Sequence, residues 1–96
     1  MFTHTAQITT DRASTYLQQL CKHFGHKVEV RFDPQSGHIA LPFGTCDLAA
    51  ANSTLDLTVV AQTQADLTKT ARVIANHLER FAFRENPEIS WQPAAA

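Results

Sequence analysis

Between Val28 and Ala61 the apolar residues alternate with polar or small ones in short runs that leave no room for a helix. Val28, Val30 and Phe32 alternate with Glu29, Arg31 and Asp33, and Ile39, Leu41 and Phe43 follow. Then come Cys46, Leu48 and Ala50, and finally Leu55, Leu57, Val59 and Ala61. Alternation with a period of two is the pattern of a half-buried strand. The joints are short. Asp33-Pro34-Gln35-Ser36-Gly37 has the proline and glycine of a chain reversal, Gly44 permits a bend or bulge, and Asn52-Ser53-Thr54 turns the chain again. Connections this short join antiparallel neighbours, because a parallel crossover needs about a dozen residues or more. These short turns argue against a doubly wound parallel sheet. Pro42 lacks an amide donor and marks a strand end or an edge position.

Helical patterns flank this run. Phe2, His4, Ala6 and Ile8 alternate with Thr3, Thr5 and Gln7 as a first strand. A helix follows within Thr10–Val28, started by Thr10 or Asp11, either of which can accept a bond from the free amides of the first turn. Ala13, Leu17, Leu20, Cys21 and Phe24 form its apolar face. Gly25 is expected to end it in the left-handed conformation, with Lys22 and His23 in the last turn, where positive charge is favoured. A second helix is expected from about Ala65 to Phe83, preceded by Thr63 or Gln64. Its face is Leu67, Ala71, Ile74, Leu78 and Phe81, and Pro87 bars any continuation. Ile89 and Trp91 suit a short last strand, Phe83 and Trp91 are expected to seal the end of the sheet, and residues 93–96 are expected to be a frayed tail.

The order β-α-β-β-β-β-α-β implies an α+β two-layer sandwich: an antiparallel-rich sheet of about five to six strands with two helices on one face. The other face would carry Glu29, Arg31, Ala40, Asp47, Ala49, Ala51, Asp56, Thr58 and Val60. Its alanine and valine content is mild for solvent, which suggests a homodimer packed sheet on sheet; the alternative is a solvated face of small residues. Arg31, Arg80 and Arg84 read as solvated or as partners of Glu79, Glu85 and Glu88.

Ninety-six residues make a single domain, expected to be folded over 1–92. A formal net charge of -1 provides no long-range field toward phosphate backbones or anionic lipid, so neither nucleic acid nor membrane is the expected partner. The start, MFTHTAQITTDR, lacks the basic end and apolar run of an export signal, and no apolar run approaches a membrane span. The expected location is cytoplasmic, with two cysteines kept as thiols. Asn52-Ser53-Thr54, although a glycosylation sequon, reads there as a turn. The three glycines, Gly25, Gly37 and Gly44, stand alone at predicted turns and form no phosphate-binding loop.

The chemistry-bearing residues are Cys21, His26, Cys46 and His77, with His4 as a further candidate. Cys21 lies on the apolar face of the first helix. His26 shares parity with Val28 and Val30, Cys46 shares parity with Leu48 and Ala50, and His77 borders the face of the second helix. All four therefore point toward the layer between sheet and helices. Thiolates and imidazoles suit Zn, Fe or Cu, and four of them can form a tetrahedral site. The competing reading is packing, since cysteine is among the most buried residue types and behaves as a small hydrophobe. Two lesser readings are axial haem ligation by His23 or His38 and nucleophilic catalysis by Cys46 with His26 and Asp47, although Asp47 has the opposite parity to Cys46.

The stretches TDRASTYLQQLCKHFGHKVEV, GHIALPFGTCDL and NHLERFAFRENPEISWQ resemble the bacterial domain-of-unknown-function family 2218 over about residues 4 to 92. The resemblance implies a small stand-alone protein without an established activity. Related domains are sometimes joined to flavin-dependent siderophore-interacting reductases, which implies a link to iron and such a reductase as partner. The chain has no flavin or nicotinamide motif of its own. The expected function is a non-enzymatic accessory or binding protein that holds or hands over iron or another transition metal through Cys21, His26, Cys46 and His77. The alternatives are a homodimeric interaction module with core cysteines, or a binder of a small ligand between helices and sheet.

Overall fold

The alternating segments between Phe2 and Ala61 become strands, and the helices lie where the periodicity of three to four places them. The computed structural model describes residues 1–93. In chain order the elements are β1 (Phe2–Thr9), α1 (Ala13–Phe24), β2 (Glu29–Phe32), β3 (Ser36–Leu41), β4 (Gly44–Ala50), β5 (Thr54–Ala61), α2 (Gln64–Phe81) and β6 (Gln92–Pro93). They form one six-stranded sheet in the order β2-β3-β4-β5-β1-β6. All its pairings are antiparallel. Strands β2 to β5 are a meander. β1 adds beyond β5, so α1 carries the chain across the sheet to the far edge.

The register sorts the two faces. Thr5, Thr58, Asp47, His38 and Arg31 lie in one row across β1, β5, β4, β3 and β2, and Thr3, Val60, Thr45, Ala40 and Glu29 lie in the next. These rows form the outer face. The other parity, with Ile8, Leu57, Leu48, Cys46, Val59 and Ile39, packs against Leu17, Leu20 and Cys21 of α1 and Leu67, Ile74 and Leu78 of α2. Burial of this kind contributes roughly 1.5–3 kcal/mol per large aliphatic side chain, which is what holds two short helices to the sheet.

Local chemistry departs from the expectations at definite places. α1 begins at Ala13 without a side-chain cap. Thr10 instead accepts the Arg12 amide (3.1 Å) and donates its own hydroxyl to Glu85 (2.8 Å). Gly25 is right-handed, with φ −61°, and its amide bonds the Cys21 carbonyl. Gly37 lies inside β3 rather than in the turn, because Asp33 holds the amides of Gln35 and Ser36 (both 2.8 Å) and reverses the chain earlier. Those two bonds, chiefly the one from Gln35, hold the Asp33 carboxyl below its ordinary pKa. Phe43 sits in the β3–β4 turn with the Lys69 ammonium 4.4 Å from its ring centre, so the turn is tied to α2.

α2 is capped as expected, Thr63 accepting the Asp66 amide (3.1 Å). It ends at Phe81, and Asn86, with φ 47°, turns the chain in the left-handed conformation that asparagine tolerates. Phe83 seals nothing, being 68% exposed. Ile89 and Trp91 pack on the core without forming a strand, and the last strand is Gln92–Pro93, against Thr5 and His4. Pro93 thus leaves the expected tail, and residues 94–96 lie outside the described residues. Arg31, Arg80 and Arg84 pair with no carboxylate among the described residues.

Glu85 latches the end of α2 to the start of α1. It accepts the hydroxyls of Thr10 and of buried Tyr16, 69 residues apart from it in the chain. The Tyr16 bond and then the Thr10 bond hold the Glu85 carboxyl below its ordinary pKa, while burial and then the Glu85 bond push the Tyr16 phenol up. A carboxyl depressed in the folded state adds stability above its unfolded pKa, and that contribution is lost as pH falls through the folded value. Tyr16→Phe is expected to return the Glu85 pKa toward the ordinary glutamate range. A carboxyl-carbon NMR titration reads this directly, and an unchanged Glu85 midpoint refutes the latch.

Candidate functional site

Parity places Cys21 and Cys46 in the same layer, as expected, and the fold then seals them there. Both are 0% exposed. Cys46 sits mid-strand between Ile39 and Val59, and its thiol reaches the Asp47 carbonyl at 3.8 Å. Cys21 faces β3 from α1, close against Gly37. Burial pushes the Cys21 thiol up to about 11. Cys46 is pushed higher still, by burial first and then by the Asp47 carboxylate and Cys21. Nucleophilic attack and metal ligation both use the thiolate, the form that burial disfavours at both positions.

The histidines do not join them. His26 is exposed in the turn after α1, because β2 starts only at Glu29. The amides of Lys27 and Val28 return to the Phe24 carbonyl (3.0 and 2.9 Å), so the strand parity that placed His26 inward does not extend back to it. His77 is half-buried on α2, and its Nδ1 donates to the Val73 carbonyl (2.7 Å). No group of three or more His, Cys, Asp or Glu side chains among the described residues is placed to hold a metal ion. Cys21, His26, Cys46 and His77 are thus not brought together. The Cys46–His26–Asp47 arrangement fails for the same reason: its thiol is buried, its histidine is on the surface, and Asp47 points to the outer face.

Two other constellations are assembled. The first lies between the end of α1 and α2. The His23 ring stands 4.9 Å from His77 and edge-on to Phe24 (5.4 Å) and Phe81 (5.7 Å). Its pKa is lowered by burial and then by His77, His26, Lys27 and Arg80, so this corner is basic and resists further positive charge.

The second is on the outer face. The register sets His38 beside Asp47, and Nδ1 approaches Oδ1 to 2.6 Å. With the Nδ1 proton held by the carboxylate, the other ring nitrogen is free. Arg31 stands in the same row, and an open depression of about 510 Å³ runs past Arg31, Asp33, Ser36, His38 and Asp47. An oriented imidazole can act as a base or recognise a partner group. It has no activated nucleophile here, because the Ser36 hydroxyl is directed to Asp33 (3.3 Å). The signal for this pair was positional. Once Leu41 pairs with Gly44 across a tight turn, His38 must face Asp47.

The family model described as "Uncharacterized protein conserved in bacteria (DUF2218)" matches residues 5–92. Among solved structures, the NMR structure of PA4090 from Pseudomonas aeruginosa is 36% identical, with all of both chains covered and a TM-score of 0.83. No curated protein matches the chain. No helix among the described residues is long and apolar enough to cross a membrane.

Proposed function

The chain belongs to the DUF2218 family of bacterial proteins, and from that premise we propose a non-enzymatic, cytoplasmic accessory module. It works by binding other polypeptide, first of all a second copy of itself, with both cysteines serving as core. The observation that carries this reading is the complete burial of Cys21 and Cys46 in a filled layer, with no group of three or more potential metal ligands among the described residues. The filling also weighs against a small ligand between helices and sheet. Leu17, Leu20, Leu57, Leu67, Ile74 and Leu78 leave no exposed apolar wall there, and no buried side-chain nitrogen or oxygen among the described residues lacks a partner. What remains for function is the outside: the uncovered sheet face and the sheet edges.

The iron link, and with it a flavin-dependent siderophore-interacting reductase as partner, comes from the resemblance, and the ligand geometry adds nothing to it. Cys46→Ala is expected to cost about 1 kcal/mol, the scale of losing a methyl-sized group from a core. The cost should be the same with and without Zn(II), Fe(II) or Cu(I), and the wild-type melting temperature should not respond to these ions. Near-stoichiometric metal in untagged protein that disappears in Cys46→Ala would overturn the reading.

A further inference from the structure

β2 is an edge. β3 lies on one side of Glu29–Phe32, and among the described residues no strand lies on the other. Glu29, Arg31 and Phe32 are exposed, Val30 is half-buried, and Phe32 is one of the few large apolar residues left in solvent, at 39%. Glu29 and Arg31 lie on the outer face and have no ion-pair partner among the described residues. Val30 and Phe32 lie on the helix side.

The phase of the β2–β3 ladder decides which backbone groups are free. The Asp33 amide donates to the Ser36 carbonyl (2.9 Å), so the pair 33–36 is a bonded one. Bonded pairs alternate along an antiparallel ladder, and the register pairs Arg31 with His38 and Glu29 with Ala40. Residues 29, 31 and 33 therefore bond inward, and the amides and carbonyls of Val30 and Phe32 point away from β3.

We propose that this edge is a homodimer interface, in which β2 of two copies pairs antiparallel about a two-fold axis at Val30 and joins the two sheets into one. The proposal rests on the homodimer reading above and places it at the edge instead of the sheet face. Two-fold pairing must set outward-facing groups opposite each other, which leaves few registers. Centring on Glu29 or on Arg31 puts that residue opposite its own copy, with like charges in contact. Centring on Phe32 sets Val30 against Pro34, which has no amide and whose carbonyl already accepts the Ser14 hydroxyl (2.6 Å). Centring on Val28 uses amides already given to Phe24.

The Val30 centre opposes unlike charges and gives up only the Val28 amide, which stays with the Phe24 carbonyl of its own chain. Val30 exchanges two bonds with its copy, each Phe32 amide reaches the opposite Val28 carbonyl, and Phe32 covers Val28 on the helix side. Glu29 faces Arg31 of the other copy, twice by symmetry. These facing positions form a non-bonded pair, in which side chains approach most closely.

The test is sedimentation of wild type, Glu29→Arg, Arg31→Glu and the double exchange E29R/R31E over a range of concentrations, with circular dichroism confirming that each is folded. Either single reversal sets like charges opposite each other twice and is expected to weaken the dimer about tenfold or more. The double exchange restores opposite charges and should return the dissociation constant to near wild type. A dimer that ignores the single reversals overturns the edge while leaving the homodimer reading standing, to be sought on the sheet face. Single reversals that weaken the dimer without rescue by the exchange overturn the proposed register. A wild-type chain that stays monomeric at every concentration overturns both.

Discussion

Gly44→Ala is expected to cost about 3 kcal/mol, the upper part of the range for overpacking a core. The new Cβ would overlap Thr70 Oγ1 and lie 3.2 Å from Thr70 Cβ and 2.8 Å from the Val60 carbonyl oxygen. None of these atoms has room to retreat. Thr70 is 0% exposed, and its hydroxyl is bonded to the Asp66 carbonyl (2.7 Å) within α2. Val60 is backbone of β5, paired on both sides with β4 and β1. The remaining escape is for α2 to lift from the sheet, which loosens Leu67 and Ile74 from the core. Thr70→Ala in the same background removes the nearest atom but leaves the carbonyl, so it should recover only part of the loss. Urea unfolding measures both changes. A loss below about 1 kcal/mol for the single variant would show that the seam between α2 and the sheet yields, contrary to its packing. For a domain with a total stability of about 5–15 kcal/mol, the expected loss is a large fraction.

Gly44 also shows where reading along the chain stops. Periodicity is a one-dimensional property, so the strands, the α1 face and the layer that Cys21 and Cys46 occupy follow from residue spacing alone. The three glycines look from the sequence like turn residues. In the fold none has a positive φ. Gly25 passes 3.0 Å from Val30, Gly37 passes 2.8 Å from Cys21, and Gly44 abuts Thr70, each distance measured from where a Cβ would stand. Close approach between elements leaves no local mark that distinguishes it from a bend. His26 was misplaced for a related reason. Its parity with Val28 and Val30 is real, but parity carries over only where the backbone is extended, and the turn after α1 interrupts it. The Thr10–Tyr16–Glu85 latch joins the two ends of the fold and has no signature at either end. His38–Asp47 lies between these cases, because it becomes legible once the hairpin register is known.

Gly37→Ala is expected to cost about 2 kcal/mol, and the loss should vanish when Cys21 is also alanine. The added Cβ would meet Cys21 Sγ at 2.8 Å, whereas its next neighbours, Leu17 Cδ2 and Leu48 Cδ1, stand at 3.4 and 3.5 Å, which is ordinary contact. The sulfur is therefore the sole obstacle. Cys21→Ala alone leaves a small cavity costing about 1 kcal/mol. In the double variant the new methyl occupies the volume the sulfur left. It also gains the roughly 0.5–1 kcal/mol by which alanine outdoes glycine inside a strand. The two substitutions should thus be strongly non-additive, with the double variant at least as stable as Cys21→Ala, and a four-point urea cycle reads the coupling directly. Additive losses would mean that the sulfur does not fill this space. Thiol labelling supplies an independent check. Burial that pushes Cys21 up to about 11 should make it react in the native protein only through opening of the fold. Gly37→Ala, by lowering stability, should speed labelling of both thiols together. Selective labelling of Cys21 in the folded wild type would instead show an accessible thiolate, and with it a reactive role that packing does not explain.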